Sequence, residues 1–204
     1  KHADKFPALT GPCSAYHGMK LYETFGNMAV TVHAKALGLR DLGPTQQPMN
    51  AFLTLLGLET LAVRMQRHVE NAQKIAEWLE KHPQVASVSY AGLKSSKYNK
   101  LAQKYLPKGA GAVFTFDIKG DLADAQRFIE TLDLFTFVAN IGDTRSLIIH
   151  PASTTHSQLT KEQMRGVGIT EGTMRVSIGL EDAEDIIADL DHALGTVGNG
   201  KKAA

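Results

Sequence analysis

The stretch "GTMRVSIGLEDAEDIIADLDHAL", residues 172–194, contains a change of periodicity that decides the fold. Met174, Val176 and Ile178 alternate with polar or small residues, which is typical of a half-buried strand. The apolar residues that follow recur every three or four positions, which predicts a helix over 182–195. A strand that passes directly into an amphipathic helix indicates an α/β domain.

The same two periods occur upstream of this stretch. We predict strands at 85–92, at 111–120 and within "SLIIHPAS", and helices at 96–106, at 121–132 and from the Thr160 and Gln163 capping box to Gly166. Strands interspersed with helices predict a small sheet with helices on one face.

The longest apolar stripe runs from Leu58 to Leu79, and Pro83 stops it. It predicts one continuous helix of roughly 20 residues or more, long enough to connect two subdomains. His68 lies beside the stripe, which favours a hydrogen-bonding residue at the edge of the core.

The N-terminal part has weaker signals. Residues 1–23 are rich in Pro, Gly and polar residues and are predicted to form a loop. We predict a helix over about 24–39, before "RDLGP", and a second over about 48–56.

The composition narrows the class of protein. Of the 204 residues, 43% are hydrophobic and 21% are charged, and the formal net charge is +1. These values are typical of a soluble globular protein and give no reason to expect binding to nucleic acid or a membrane. The single cysteine, Cys13, excludes an internal disulfide and favours a free thiol, so we expect the reducing cytoplasm.

Three groups of polar residues could suggest a binding site, and each has a simpler interpretation. The acidic residues within 181–191 match no calcium loop and suit the first turn and the solvent face of a helix. The lysines within 97–104 share one helical face and indicate a solvated surface. The spacing of His150 and His156 matches no common set of metal ligands, so we expect no metal site.

Arg175 is different, because it lies in the middle of a strand with Ser177 on the same face. A guanidinium group matches a carboxylate with two parallel hydrogen bonds, which a lysine cannot reproduce. The residue alone leaves two roles open: a clamp for a ligand carboxylate, or a structural salt bridge, which is the commoner role of arginine.

Long motifs of the chain resemble one known family. "TMRVSIGLEDAEDIIADLDHAL" (173–194) is similar to the C-terminal signature of the pyridoxal-phosphate (PLP) enzymes of cysteine and methionine metabolism. "NAFLTLLGLETLAVRMQRHVENAQKIAEWLEKHPQVASVSYAGL" (50–93) resembles the family's helix between its two domains, and "NIGDTRSLIIHPASTTHSQLT" (140–160) resembles its substrate loop. The resemblance covers about residues 1–196.

Within the family, three stretches are most similar to the O-acetylhomoserine sulfhydrylases. They are "FPALTGPCSAYHGMKLYETFG" ahead of "LGLRDLGP", "YLPKGAGAVFTFDIKG", and the run from Asn140 to Ser146. Methionine γ-lyases and the cystathionine γ-synthases and γ-lyases remain the alternatives within the family, and a non-catalytic fragment is the alternative outside enzyme chemistry.

The resemblance implies the fold of PLP-dependent transferases of the aspartate aminotransferase type (fold type I). Residues 1–60 would form the end of the large cofactor-binding domain, with an insertion typical of sulfhydrylases, and 61–82 the long bridging helix. Residues 83–196 would form the C-terminal α/β domain, a small, mostly antiparallel sheet covered by helices, and 197–204 a tail.

The resemblance also implies an activity. Sulfide or a small thiol would replace the acetate of O-acetyl-L-homoserine at the γ carbon, giving homocysteine or methionine, with PLP as the cofactor. Arg175 would bind the α-carboxylate of the substrate, and Asn140 with its neighbouring backbone would orient the same group. The complete enzyme would be a homotetramer whose active sites are completed across a subunit interface.

One element of the family pattern is missing. The family's Schiff-base lysine lies in a Ser-x-x-Lys context, and no lysine here has that context. The stretch "SSKYNK" (95–100) contains Ser and Lys, but it belongs to a predicted surface helix. We therefore expect no catalytic and no cofactor-binding residue in this chain. We expect the chain to be the C-terminal part of a longer polypeptide that supplies those residues.

Overall fold

The computed structural model describes residues 2–198, which form two compact units that divide between Leu58 and Glu59. Each unit has its own set of elements. Among the described residues, none of the helices is both long and apolar enough to span a membrane.

The first unit contains short elements where the sequence predicts a loop over 1–23, so that prediction is wrong. Helix α1 (Pro7–Thr10) is followed by a hairpin of strands β1 (Pro12–Cys13) and β2 (Met19–Lys20). His17 and Gly18 close the hairpin with φ values of 54° and 79°. Two consecutive residues in the left-handed region turn the chain tightly enough to pair such short strands.

The single helix predicted over 24–39 is also wrong. Helix α2 (Leu21–Phe25) ends at Gly26, whose φ of 53° and ψ of −126° suit glycine alone. Helix α3 (Ala29–His33) then passes into a π-helical segment, Ala34–Leu42, which ends at Gly43 in the left-handed conformation. The apolar pattern does not reveal these backbone breaks.

The predicted continuous helix from Leu58 onwards is interrupted. Helix α4 spans Pro48–Glu59 and helix α5 spans Leu61–Leu79, with Thr60 between them at φ −104° and ψ 4°. Helix α5 has 19 residues and ends three residues before the predicted end at 82. After Leu79 the helix is replaced by hydrogen-bonded turns. The helix does not continue to Pro83, because the residue before a proline avoids the helical conformation.

The second unit is built on a five-stranded mixed sheet. Its strands are β3 (Val85–Ser89), β4 (Val113–Ile118), β5 (Thr136–Phe137), β6 (Leu147–Ile149) and β7 (Thr173–Ser177), in the order β3-β4-β7-β6-β5. Three of the four pairings are antiparallel, and β5 with β6 is parallel. The predicted mostly antiparallel sheet is confirmed, although the sequence does not predict β5.

Three helices cover one face of this sheet, as predicted. Helices α5, α7 (Leu122–Thr131) and α9 (Ala183–Leu194) share one buried core with the strands. Phe116 lies opposite Met174 in the register and meets Phe128 edge to face, with ring centroids 6.1 Å apart. Two shorter helices, α6 (Asn99–Tyr105) and α8 (Lys161–Gly166), complete the unit, and the predicted Thr160 and Gln163 capping box begins α8.

Burial along α5 differs between its two halves. Ala72, Ile75, Ala76 and Leu79 are fully buried, whereas Leu61 and Met65, which belong to the same predicted stripe, are exposed. The apolar surface of α4 is exposed as well, and none of its residues is buried. The predicted stripe therefore contributes to the described core only in its C-terminal half.

Candidate functional site

The second face of the sheet carries the arginine singled out by the sequence. Arg175 lies on β7, the middle strand, opposite Thr115 of β4 and Ile149 of β6. Its neighbours along the strand, Met174 and Val176, point into the core, so alternation directs the half-buried Arg175 side chain to the opposite face.

The guanidinium group of Arg175 contacts the loop that contains Asn140. Its Nη2 donates to the main-chain carbonyl of Asn140 at 3.3 Å. No carboxylate in residues 2–198 lies within ion-pair distance of this guanidinium. The structural salt bridge left open by the sequence thus has no partner in this part of the chain, and the guanidinium keeps donors for an external anion.

The structure brings the predicted pair Arg175 and Asn140 together through the Asn140 main chain. The Asn140 side-chain oxygen accepts from the backbone N–H of Ile141 at 2.9 Å, which fixes the local turn. Two residues on, Gly142 donates its backbone N–H to the hydroxyl of Ser177 at 3.0 Å. The loop therefore crosses β7 on the face that presents Arg175.

The Asn140–Ser146 loop also lies close to the backbone that follows β7. Ser146 donates its N–H and its hydroxyl to the two carboxylate oxygens of Glu181, at 2.6 and 2.9 Å. The Ser146 hydroxyl also accepts the N–H of Gly179 at 2.9 Å. A Cβ on Gly179 would lie 2.5 Å from the carbonyl carbon of Arg145 and from the nitrogen of Ser146, so only glycine fits there.

Polar side chains of α5 hold the other side of this turn. His68 lies with its Nδ1 2.6 Å from the carbonyl of Ile178, and since a carbonyl only accepts, Nδ1 carries the proton. Asn71 donates from its amide to the carbonyls of Gly179 and Glu181, at 3.1 and 2.8 Å. His68 is buried and hydrogen-bonded, which confirms the sequence prediction for it.

His150 anchors the segment that follows β6. Its Nε2 donates to the carbonyl of Glu171 at 2.8 Å, and its Nδ1 lies 2.8 Å from the Ser153 hydroxyl. Burial lowers the pKa of His150 below its usual value, against the opposing effect of the Glu171 carbonyl. The neutral ring is therefore the form that the fold prefers.

Asp143 and Arg145 form an exposed pair at the tip of the loop. The backbone N–H of Arg145 lies 3.0 Å from Asp143 Oδ1, and the guanidinium Nε of Arg145 lies 3.3 Å from the same oxygen. These two contacts, the backbone one foremost, hold the pKa of Asp143 below its usual value. The pair fixes the local turn of the loop.

The other sequence candidates lie elsewhere or have local partners. Within residues 2–198, no group of three His, Cys, Asp or Glu side chains could hold a metal ion. Cys13 is a free, half-buried thiol in the first unit. A cavity of about 280 Å³ is lined by residues that include Lys161, Arg165 and Glu171, and Arg175 is not among them.

The acidic residues 181–191 are correctly interpreted in part. Asp182 caps α9 through the N–H of Glu184, and Glu184 and Asp185 occupy its first turn. Glu181 is an exception, because it precedes the cap and binds Ser146. The run Ser-Ile-Gly-Leu-Glu is the sequence signal that could have shown the different role of Glu181. In this run a glycine and a carboxylate directly follow a buried strand.

The described residues do not fit a PLP cofactor by themselves. Every described lysine is solvent-exposed, and none follows a serine at the Ser-x-x-Lys spacing. The guanidinium of Arg175, held by the Asn140 carbonyl, instead has the geometry to bind a planar carboxylate. Residues 2–198 thus present a candidate anion-binding group and no lysine in the Ser-x-x-Lys context.

Substitution of Gly179 by alanine tests the close approach at the end of β7. We expect Gly179→Ala to lower the free energy of unfolding by about 1–3 kcal/mol, because the new methyl group would force the loop backbone away. The measurement is urea unfolding followed by circular dichroism. Gly166→Ala is the control, since its Cβ would meet no atom within 4 Å and should change stability by at most about 0.5 kcal/mol.

The buried neutral His150 predicts a pH dependence of stability. A histidine in the unfolded chain has a pKa of about 6.5, and the pKa of His150 in the folded chain is lower, so the stabilising contribution is complete above about pH 6.5. It is lost as the pH falls from about 6.5 towards the folded pKa. We expect His150→Gln to flatten this loss in unfolding curves measured between pH 7.5 and 5, and an unchanged slope would contradict the assignment. His156→Gln is the control.

Comparison with known proteins gives a consistent result. The model of the Cys/Met metabolism PLP-dependent enzyme family matches residues 14–195. The chain is 48% identical to an O-acetyl-L-homoserine sulfhydrylase of Leptospira meyeri and to O-acetyl-L-homoserine sulfhydrylase 1 of Thermus thermophilus; each match covers 93% of this chain and 45% of the relative.

A solved structure agrees with these sequence matches. A Campylobacter jejuni protein described as an O-acetylhomoserine (thiol)-lyase, with a pyridoxyl-lysine phosphate group, superposes with a TM-score of 0.82 at 44% identity. The match covers 94% of this chain and 45% of that one, so the chain spans about half the length of the relatives it matches. With a family model that matches most of its residues, the chain belongs to the Cys/Met metabolism PLP-dependent enzyme family.

Proposed function

We propose that this chain is the substrate-binding C-terminal part of a PLP-dependent enzyme that replaces the acetate of O-acetyl-L-homoserine with sulfide or a small thiol. The products would be acetate and homocysteine or methionine. The observation that carries this proposal is the 48% identity, over 93% of the chain, to two proteins named for sulfhydrylation of O-acetyl-L-homoserine.

The exposed surface of the first unit supports the idea of a longer protein. Six large apolar side chains of α4 are more than half exposed: Met49, Phe52, Leu53, Leu55, Leu56 and Leu58. Soluble proteins rarely expose an apolar patch of this extent unless another surface covers it. In the complete protein, residues 1–60 would belong to the cofactor domain, 61–82 to the bridging helix and 83–196 to the C-terminal domain.

Arg175 would bind the α-carboxylate of the substrate with a bidentate pair of hydrogen bonds. The side chain fits this role because it is half-buried on the middle strand and one of its nitrogens is already oriented by the Asn140 carbonyl. An orienting contact reduces the freedom that the guanidinium must lose when it binds an anion. The side-chain amide of Asn140, whose oxygen already accepts from Ile141, would donate from its nitrogen to the same carboxylate.

Residues outside this chain would hold the cofactor and its lysine. When bound, PLP supplies an electron sink for the carbon chemistry of an amino acid. The residues of this chain bind and orient the carboxylate end of the substrate. We further propose a homotetramer with active sites shared between subunits and a location in the cytoplasm.

A turnover assay on the complete enzyme distinguishes sulfhydrylation from the activities of the other family members. We expect homocysteine from O-acetyl-L-homoserine and sulfide at a rate well above that of α-keto acid release from methionine or cystathionine. A preference for methionine or cystathionine would replace the proposed activity with that of a γ-lyase, and formation of cystathionine from the activated homoserine and cysteine would replace it with that of a γ-synthase. Absence of turnover on all of these substrates would favour a non-catalytic role.

Arg175→Lys tests the carboxylate clamp directly. The charge is kept but the paired hydrogen bonds are lost, so we expect kcat/KM for the amino-acid substrate to fall by a factor equivalent to roughly 2 kcal/mol or more. Steady-state kinetics and the absorbance of the bound cofactor are measured together, and the cofactor spectrum should not change. Arg165→Lys, at an exposed position of α8, is the matched control. Unchanged kinetics for Arg175→Lys would disprove the clamp.

A further inference from the structure

We infer that Glu181 is a positioning residue for the substrate-carboxylate site, acting on Arg175 through Ser146 and the Asn140–Ser146 loop. The inference rests on the proposed role of Arg175. Among residues 2–198, no hydrogen bond or ion pair joins the Glu181 carboxylate to the guanidinium, and Glu181 is not proposed to contact the substrate.

Two contacts join Glu181 to the loop. The carboxylate receives the N–H and the hydroxyl of Ser146 on its two separate oxygens, at 2.6 and 2.9 Å. Ser146 is fully buried, so water does not compete for these bonds. A carboxylate that accepts two donors from one buried residue fixes both the position and the rotation of that residue.

Two more contacts extend this constraint to the end of β7. The Ser146 hydroxyl accepts the N–H of Gly179 at 2.9 Å, and the carbonyl of Thr144 accepts the N–H of Leu180 at 2.8 Å. The last three residues of the loop, 144–146, are therefore held against the chain immediately beyond the strand that carries Arg175.

The opposite end of the same loop contacts Arg175 itself. The carbonyl of Asn140 accepts from the guanidinium, and the N–H of Gly142 donates to Ser177, two residues along the strand. Gly142 has a φ of 75°, and this left-handed conformation bends the loop at that point. With Ser146 fixed, only a short segment separates the pinned end from the Asn140 carbonyl that orients the guanidinium.

A carboxylate suits position 181 because of the donors that it receives. The Ser146 N–H and the Ser146 hydroxyl both donate towards Glu181, while the hydroxyl oxygen accepts the N–H of Gly179. A glutamine would still accept the Ser146 N–H, but its –NH₂ group would face the hydroxyl, which would have to turn its own proton away and lose the charge-assisted bond. The position of Glu181 is also fixed independently, because Asn71 and Arg67 both donate to its main-chain carbonyl, at 2.8 and 3.2 Å.

The test is Glu181→Gln in the complete enzyme, alone and combined with Arg175→Lys. We expect Glu181→Gln to raise the KM of the amino-acid substrate about tenfold, the equivalent of one weakened charge-assisted hydrogen bond, with a smaller change in kcat. On the Arg175→Lys background the same change should have little further effect, because the group it positions is already lost. Glu184→Gln, at an exposed position of α9, is the control.

Two further measurements separate positioning from general destabilisation. Amide hydrogen exchange at Ser146, Gly179 and Leu180 should become faster in Glu181→Gln, whereas the core of β4 should keep its protection. Ser146→Ala, which removes only the hydroxyl, should change KM in the same direction by a smaller factor. It also serves as the test variant if Glu181→Gln does not fold.

The outcomes distinguish this inference from the proposed function. An unchanged KM, or an increase of the same factor on both Arg175 backgrounds, would overturn the positioning role even where sulfhydrylation is confirmed. If the enzyme prefers methionine or cystathionine, the proposed function is replaced, and the same KM comparison is made with that substrate. If no substrate is turned over, unchanged exchange at Ser146, Gly179 and Leu180 overturns the inference, and faster exchange supports the pinning of the loop.

Discussion

The turn that leaves β7 at Ile178–Glu181 is held by hydrogen bonds from two directions, and the rest of the second unit is arranged around it. On one side, His68 and Asn71 of α5 bind the carbonyls that the strand no longer uses. On the other side, Ser146 binds Gly179 and Glu181. Buried main-chain groups need partners, and here helix, loop and strand supply them to one another.

This arrangement couples the hydrophobic core to the polar face of the sheet. The core side of β7 packs under α5, α7 and α9. This packing fixes the strand and therefore the main chain of Arg175. The loop that crosses the opposite face fixes the tip of the same side chain through the Asn140 carbonyl. A guanidinium that is restrained at both ends and has no carboxylate partner among the described residues is prepared to receive an anion.

Similarity to sulfhydrylases gives this geometry a chemical meaning. A substrate amino acid has one carboxylate that must be held while the reaction proceeds at carbons further along its chain. A binding group on a rigid strand suits that task, since small displacements at the anchor are carried to the reacting atoms. The exposed apolar surface of α4 supports the proposal that the chain contributes one wall of a larger site.

The sequence predicts best where local pattern and tertiary environment agree. The strands at Val85–Ser89, Val113–Ile118 and Thr173–Ser177 and the helices α7 and α9 follow from their periodicity. The prediction fails at Gly26 and Thr60, because a single residue with an unusual backbone conformation interrupts an apolar pattern that continues through it. It also misses β5, which is only two residues long and is defined by its pairing with β6.

By itself, the sequence determined the α/β class and the family resemblance and marked Arg175 as a candidate for binding an anion, because strand alternation and motif identity are local properties. Only the tertiary structure decided what surrounds Arg175. The parallel pairing of β5 with β6 requires the chain to cross the sheet, and this crossing brings Asn140 onto the guanidinium and Ser146 onto Glu181. Contacts between residues about 35 positions apart depend on how the chain returns across the sheet, which no local pattern encodes.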